Sequence, residues 1–435
     1  MFKKYLNSWS LLPVICFIFF ITPVVIVISS LFGDYSDNWS HLYNYVLGSY
    51  IKNSIYLVAG VLILVSIIGV STAWLVTNYD FFCKNILEWA LILPLAVPPY
   101  ILAYTFTGLF DTYGTANNLV RDIFNLSNEF TLFPKVRNVP GAIIVFSFTL
   151  YPYVYLVSRM AFINQSRSIL ESGRTLGLNR LEVFYRLAVP MIRPAVIAGL
   201  MLVAMETLSD FGAVDHFAIS TFTTGIFRTW YGMYDIHTAK QLASLLLIIA
   251  IMFIIAEKYS RKNADYSFAG SVFRQFDPLK LKGYKNFLAF LFCFFPIFIG
   301  FILPILELSY WAFNYKLDFF NERFITTAWN SFYLAIISAF MCTCLAIIIN
   351  FSVRYKSNNV LKFLSSFLTV GYAVPGIILA IGVMQLLTFI DASFVGKYFN
   401  FLLTGSLIGL ILAYIIKSYA LASSTVESGY QRVNI

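Results

Sequence analysis

The sequence predicts an all-α polytopic membrane protein built from two copies of one helical unit, and three observations carry that prediction. Of its 435 residues, 59% are hydrophobic, 18% aromatic and only 12% charged, with a mean hydropathy of +0.77. A water-soluble globule of this length needs more polar surface than that composition supplies. Apolar runs of roughly 17 to 25 residues, long enough to cross ~30 Å of hydrocarbon, recur along the whole chain. Finally, two short sequences recur later in the chain at one fixed spacing.

Ten runs are expected to span, at about 10–32, 54–77, 86–110, 139–161, 190–209, 241–257, 286–310, 330–351, 363–389 and 402–424. The first follows Met1-Phe2-Lys3-Lys4; it is too long for a signal-peptide core and has no small-residue cleavage site, so it is expected to stay as an anchor. Cys16, Cys83, Cys293, Cys342 and Cys344 lie in or beside apolar runs without metal-ligand spacing, which argues against a disulfide framework or a zinc site.

The net charge of +9 is explained by topology. With Lys3 and Lys4 in the cytoplasm and a crossing at each run, 21 of the 30 Lys and Arg fall inside and 9 outside. This is the positive-inside bias, and it needs no nucleic acid. Two inside loops are the most basic, 159–193 with six Lys or Arg and 258–285 with seven.

The second of these loops is long, polar and without apolar period, so it reads as a linker. The flanking regions are related: "NSIYL" at Asn53–Leu57 matches "NSFYL" at Asn330–Leu334, and "AVPPYILA" at Ala96–Ala103 matches "AVPGIILA" at Ala373–Ala380. Both pairs are 277 residues apart, so the segments between them align without a gap. Internal duplication follows: a first repeat over 1–257 with six spans, a linker over 258–285, and a second repeat over 286–435 with four. Six spans return the chain to its starting side, which predicts parallel repeats with a pathway between them. Pro98, Pro99 and Pro375 fall near the middles of predicted helices, where each removes a backbone hydrogen bond. They are read as simple kinks or as parts of a gate.

One inside loop is unusually ordered in its sequence, "ESGRTLGLNRLEVFYRLAVP" from Glu171 to Pro190. Ser168 and Glu171 have capping-box spacing for a helix start. Gly177 is suited to a left-handed stop, and Asn179 with Glu182 to a second start. Ile169, Leu170, Gly173 and Leu176 share one side of the first helix, with Arg167 and Arg174 beside it, a surface suited to a groove on a soluble partner. A plain solvated loop is the alternative on these grounds.

This loop resembles the EAA motif of binding-protein-dependent ABC importer permeases. Glu171-Ser172-Gly173, three residues, Gly177, nine residues and Leu187-Ala188-Val189-Pro190 reproduce its spacing. Ser172 and Gly173 stand where the motif has alanines, Leu187 for isoleucine and Val189 for leucine. The resemblance implies a type I ABC importer permease fold, with Glu171, Ser172, Gly173, Gly177, Leu187 and Pro190 in the coupling helix that sits in a cleft of the ATPase. It further implies a cytoplasmic ABC ATPase dimer, a periplasmic substrate-binding protein, and a multi-pass chain in lipid of the bacterial inner membrane with its N-terminus cytoplasmic.

"METLSDFGAVDHFAISTFTTGIFRTWYGMYD", from Met205 to Asp235, is similar to the corresponding segment of ferric iron ABC permeases of the fused, two-half type, which implies ferric iron as substrate. Thiamine permeases share that architecture. The residues allow their own reading: Glu206 lies near the end of the fifth run, where an ionisable group is costly, and Asp210 follows one turn later. Both carboxylates suit a hard trivalent cation at a pathway mouth and equally suit hydrogen bonds between helices. Asp215, His216 and His237 lie in the following outside segment, and Glu307 near the outer end of the seventh run; the metal ligands, if any, are unknown.

There is no G-x-x-x-x-G-K-[ST] phosphate loop in this sequence and no catalytic constellation. The chain is therefore read as a permease subunit rather than an enzyme, binding no cofactor itself, with ATP and Mg on the partner ATPase. Loops 33–53, 111–138 and 210–240 are the expected outside surfaces for the binding protein. "KSYALASSTVESGYQRVNI" resembles the approach to a second coupling motif, but Ile435 falls about six residues before that motif's glutamate, and Glu427-Ser428-Gly429 lacks the following glycine. The expectation is that the second repeat is truncated by two spans. A secondary transporter or channel without an ATPase is the alternative class.

Overall fold

In a computed structural model, the described residues are 8–127, 130–165, 167–262, 278–314, 321–355, 359–393, 398 and 402–432. They are almost wholly helical. Among the described residues, eight helices are long and apolar enough to cross a membrane, and two bent helix pairs each supply a further broken span or re-entrant loop. By contacts, the chain divides into two compact units, and these are not the two sequence repeats. One comprises Tyr43–Thr224 with Ile251–Lys316, the other Met1–Leu42 with Gly225–Ala250 and Leu317–Ile435.

In the first of these units, three long helices make the frame: α2 (Leu47–Asn78), α6 (Val139–Ile163) and α8 (Val189–Ser209). Asn138 starts α6 by accepting from the Gly141 N–H at 2.7 Å, and Pro140 sits in the first turn, where no backbone donor is missed. Phe146, Tyr151, Val154 and Tyr155 of α6 are fully buried. Gly69 lets α2 lie directly on α6, since a Cβ there would stand 3.0 Å from the Tyr155 nitrogen and 3.1 Å from the Tyr151 carbonyl oxygen. Small residues at such crossings are how helices associate in lipid, where no hydrophobic force separates helix from solvent.

The third expected run does not form one kinked helix. α3 (Lys84–Ala90) leads to a 3₁₀ turn over Leu93–Ala96, Val97 is extended, and α4 (Pro99–Phe110) leaves at 90°. Two successive prolines remove two N–H donors and push the preceding residue out of helical geometry. The chain then turns into the short helix α5 (Thr115–Phe124). After α8 comes the five-residue α9 (Gly212–His216). The unit also takes in α11 (Tyr284–Ile297) and α12 (Leu303–Asn314), joined by a π-turn at Phe298–Ile302. α12 rests on α4 through Trp311 and Tyr104, ring centroids 5.3 Å apart. Two-residue strands β1 (Tyr79–Asp80), directly after α2, and β2 (Leu279–Lys280), before α11, pair in parallel. Residues 263–277 of the expected linker lie outside the described residues.

The other unit assembles α1 (Ser8–Ser29), the first part of α10 (Ile236–Lys262), α13 (Glu322–Tyr355), α14 (Asn359–Leu368), α15 (Gly376–Ala392) and α16 (Leu407–Arg432). Phe17 meets Phe367, and Phe20 meets Tyr419, edge to face at 5.1 and 5.6 Å. The ninth run breaks as the third does: a 3₁₀ turn at Thr369–Ala373, extended Val374, then α15 at 115° to α14. Pro98 (φ −59°, ψ 146°) and Pro375 (φ −53°, ψ 138°) hold the same backbone conformation at the start of α4 and α15.

A polar seam fastens α10 to the segment after α1. Gln241 donates to the Ser30 and Asp34 carbonyls at 3.1 and 3.3 Å and accepts from the Trp39 indole. Ser244 bonds Ser30. Asp235 accepts from Ser36 (2.7 Å), Asn38 (2.9 Å) and Thr238 (2.7 Å). Burial works against the Asp235 carboxylate, but the Thr238 N–H and the Asn38, Thr238 and Ser36 side chains outweigh it and hold its pKa well below the usual range.

Candidate functional site

The loop between α6 and α8 is a compact two-helix element. α7 (Arg167–Thr175) ends in a left-handed residue, Gly177, at φ +92°. The Leu178 N–H bonds the Gly173 carbonyl at 3.1 Å and the Gly177 N–H bonds that of Arg174 at 3.1 Å. This nested pair is the Schellman closure, which satisfies carbonyls that the helix end leaves open. Two residues later Asn179 accepts from the Glu182 N–H, and Glu182 accepts from the Asn179 N–H, both at 2.9 Å. The expected capping box there is complete. The side chains of 167–170, and with them the box expected at Ser168, lie outside the described residues.

From Val183 the chain runs as a π-turn to Ala188 and then enters α8 with Pro190 in its first turn. Proline cannot bond back to the carbonyl four residues earlier, and a widened turn accommodates that loss. The π-turn brings the two ends of the EAA-like motif together: Leu187 Cδ1 lies 2.4 Å from where a Cβ on Gly173 would stand. Leu187 thus fills the space that an alanine would take at 173. Phe184 packs on Trp74 at 5.2 Å, Trp74 packs on Phe162 at 5.1 Å, and Gln165 donates to the Ala188 carbonyl at 3.2 Å. The base of the loop is therefore locked to α2 and α6. Its outer surface carries Leu176, Leu181 and Tyr185, 85%, 70% and 68% exposed, among exposed Glu171, Ser172, Arg174, Arg180 and Arg186. A rigid apolar surface ringed by charge is suited to docking a soluble partner.

The pathway candidates have more local employment. Asp210, just past α8, caps α9 by accepting from the Ala213 N–H at 2.8 Å, and its carbonyl accepts from Thr223 at 2.8 Å. Burial pushes its carboxyl up to about 6, partly opposed by the Ala213 and Val214 N–H groups and reinforced by the nearby Glu206 charge. Glu206 is partly buried in α8 one turn earlier. His216 bonds Thr107 at 2.9 Å and lies edge-on to Tyr104. His237 sits against Gly33, and Glu307, buried, accepts from Thr115 at 2.6 Å. Among the described residues no group of three or more His, Cys, Asp and Glu side chains is arranged to hold a metal.

Lys417 escaped the sequence reading, which counted it only as an inside charge. It projects from α16, in a membrane span, and donates to the Tyr372 and Val374 carbonyls at 3.0 and 3.1 Å. These carbonyls belong to the turn broken by Pro375. An ionisable group at membrane depth with paired partners was the available signal.

A multi-span helical membrane protein with a rigid capped loop between two of its spans is the class that fold and site define. Within that class, residues 65–256 match the family described as binding-protein-dependent transport system inner membrane component. It is 26% identical over 392 residues to the Fe(3+)-transport system permease protein FbpB 2 of Haemophilus influenzae, covering 88% of this chain and 70% of that protein. It is 24% identical over 412 residues to the ferric transport system permease protein FbpB of Actinobacillus pleuropneumoniae, covering 88% of this chain and 58% of that one. The molybdenum transport system permease protein ModB of Haemophilus influenzae matches over 187 residues at 25% identity, 42% of this chain and 79% of ModB.

Proposed function

We propose that this chain is the permease subunit of an ATP-driven importer that moves ferric iron across the bacterial inner membrane from a periplasmic binding protein. The observation that carries the reading is the loop 167–190: a helix, a Schellman turn at Gly177, a capping box at Asn179 and Glu182, and contact between Gly173 and Leu187. That construction keeps α7 rigid on the α6 and α8 ends, so force applied to it reaches both spans. In this reading Glu171, Ser172, Gly173, Gly177, Leu187 and Pro190 form the contact with an ABC ATPase dimer, which holds ATP and Mg. Likeness to the two ferric permeases over 88% of the chain supports iron as substrate.

Transport follows by alternating access. Loaded binding protein and ATP each favour one of two arrangements of the spans, and their differential affinities set the direction. Glu206 and Asp210 would meet the cation near the outer end of α8, with Pro98 and Pro375 shaping the broken helices along its route.

The test is ATP hydrolysis in proteoliposomes holding the full-length permease and its ATPase, with binding protein loaded with ferric iron or with thiamine. Stimulation by the iron-loaded form alone is expected. Stimulation by thiamine alone overturns the substrate and keeps the importer; none with either, in a verified complex, favours a channel or secondary transporter.

A further inference from the structure

α5 (Thr115–Phe124) is built the wrong way round for a helix facing water. Its inner face is polar. Asn117, 1% exposed, donates to the Asp111 carbonyl at 2.9 Å and accepts from the Leu132 and Phe133 N–H groups at 3.1 and 3.2 Å. Arg121, 5% exposed, donates to the Phe130 carbonyl at 2.9 Å, the Thr112 carbonyl at 2.7 Å and Asn118 at 3.0 Å. These two residues, one turn apart, pin the chain on both sides of the helix.

The outer surface divides in two. At about 3.6 residues per turn, Leu119 and Ile123 share one flank and Asn118 and Asp122 the other. Leu119 and Ile123 are 55% and 70% exposed, as are Phe124, the last residue of the helix, at 67%, and Leu132 after it, at 57%. Asn118 and Asp122 are exposed as well.

We infer that α5 lies in the plane of the membrane surface, with Leu119, Ile123 and Phe124 in the acyl and headgroup boundary of the lipid and Asn118 and Asp122 toward water. An amphipathic helix with one apolar and one polar flank takes this position. Continuity supports it: α5 ends the bent apolar segment that runs from Pro99 to Phe124, so its apolar flank continues a segment apolar enough to enter lipid. A visiting binding protein fits less well. It leaves between deliveries, and an apolar patch needs cover at all times. The Asn117 and Arg121 clamp makes α5 a fixed float, setting the depth of α4 and of the break at Pro98. The inference does not depend on the substrate.

The experiment is nitroxide accessibility in lipid nanodiscs. Cys16, Cys293 and Cys342 are buried, whereas Cys83 and Cys344 are partly accessible, so the full chain with Cys83→Ser and Cys344→Ser is the parent. It is labelled singly through Leu119→Cys, Ile123→Cys, Asn118→Cys or Asp122→Cys, and the unlabelled background is read from the parent. At 119 and 123 the ratio of oxygen to nickel-chelate collisions is expected to be at least about fivefold that at 118 and 122. Equal, water-like ratios on both flanks overturn the inference. So does a label at 123 that is nickel-accessible in the bilayer and becomes shielded only when loaded binding protein is added, which would assign the flank to that partner.

Discussion

The two broken helices share a sequence and a backbone, yet they are held by different means. Pro98 and Pro375 occupy corresponding positions 277 residues apart, each after an extended valine and a 3₁₀ turn. At the second break, Gly371 allows α16 to approach until a Cβ there would lie 2.4 Å from the Ile416 carbonyl oxygen, and Lys417 reaches over to bond Tyr372 and Val374. At the first, the position of Gly371 is taken by Pro94. The glycine is on the other side: Gly300, between α11 and α12, where a Cβ would stand 3.0 Å from Pro94 and 2.5 Å from the Phe148 carbonyl oxygen. The first break has its charge further back, where Arg159 pairs with Glu88 of α3 and Tyr155 donates to the Glu88 carbonyl at 2.9 Å. A proline-led break is thus a local property, whereas its support is tertiary and was solved twice.

The largest effect is expected at Lys417. Lys417→Met keeps the stem and removes the donors, leaving two carbonyls at membrane depth that each cost roughly 1–3 kcal/mol when unsatisfied. Thermal unfolding in detergent should show a clear loss of stability, partly restored by Lys417→Arg. An unchanged midpoint would mean that water or lipid replaces the ammonium.

Next come Gly300→Ala and Gly371→Ala, each of which drives a methyl onto a backbone oxygen. A loss of about 1–3 kcal/mol is expected for both, read as lower unfolding midpoints of similar size. A tolerant Gly300 beside a sensitive Gly371 would show that the first break is loosely held. Glu88→Gln should matter less, about 1 kcal/mol, because the amide oxygen still accepts from Arg159.

An effect of pH lies outside both breaks. The Asp210 carboxyl is raised from 3.8 to about 6, so the folded chain favours the neutral acid. That contribution is present in full below the unfolded value and is lost as pH rises through the folded one. Between about pH 4 and pH 7 the unfolding midpoint should fall, and Asp210→Asn should flatten the profile. A steeper profile in the variant would assign the titration elsewhere.

The contrast between the breaks also marks what was legible beforehand. The spans and the positions of the prolines follow from pattern, because hydrophobic length and proline chemistry are local. The reading of Pro98 and Pro375 as bends fell short, since one missing donor does not reveal that an extended residue will separate two helices. Gly177 and the pair Asn179 and Glu182 were legible for the same local reason. Asp210 was half legible: its type and place suited a cation or a hydrogen bond equally, and its use as a cap for α9 required the turn at Phe211. The seam of Asp235, Thr238, Gln241 and Ser244 recurs every third residue from the one just before α10, but its partners lie some 200 residues earlier in sequence. Lys417 was hidden by being counted as a topology charge.

The central claim is that loop 167–190 transmits force from an ATPase, and Gly177 tests it most directly. A Cβ at 177 would meet nothing within 4 Å, so Gly177→Val acts through the left-handed backbone alone, at roughly 1–2 kcal/mol. The measurement is binding-protein-stimulated ATP hydrolysis and substrate uptake in the same proteoliposomes, with membrane insertion verified. The account predicts that insertion is unchanged while stimulation and uptake are both lost; undiminished uptake by the variant would contradict it.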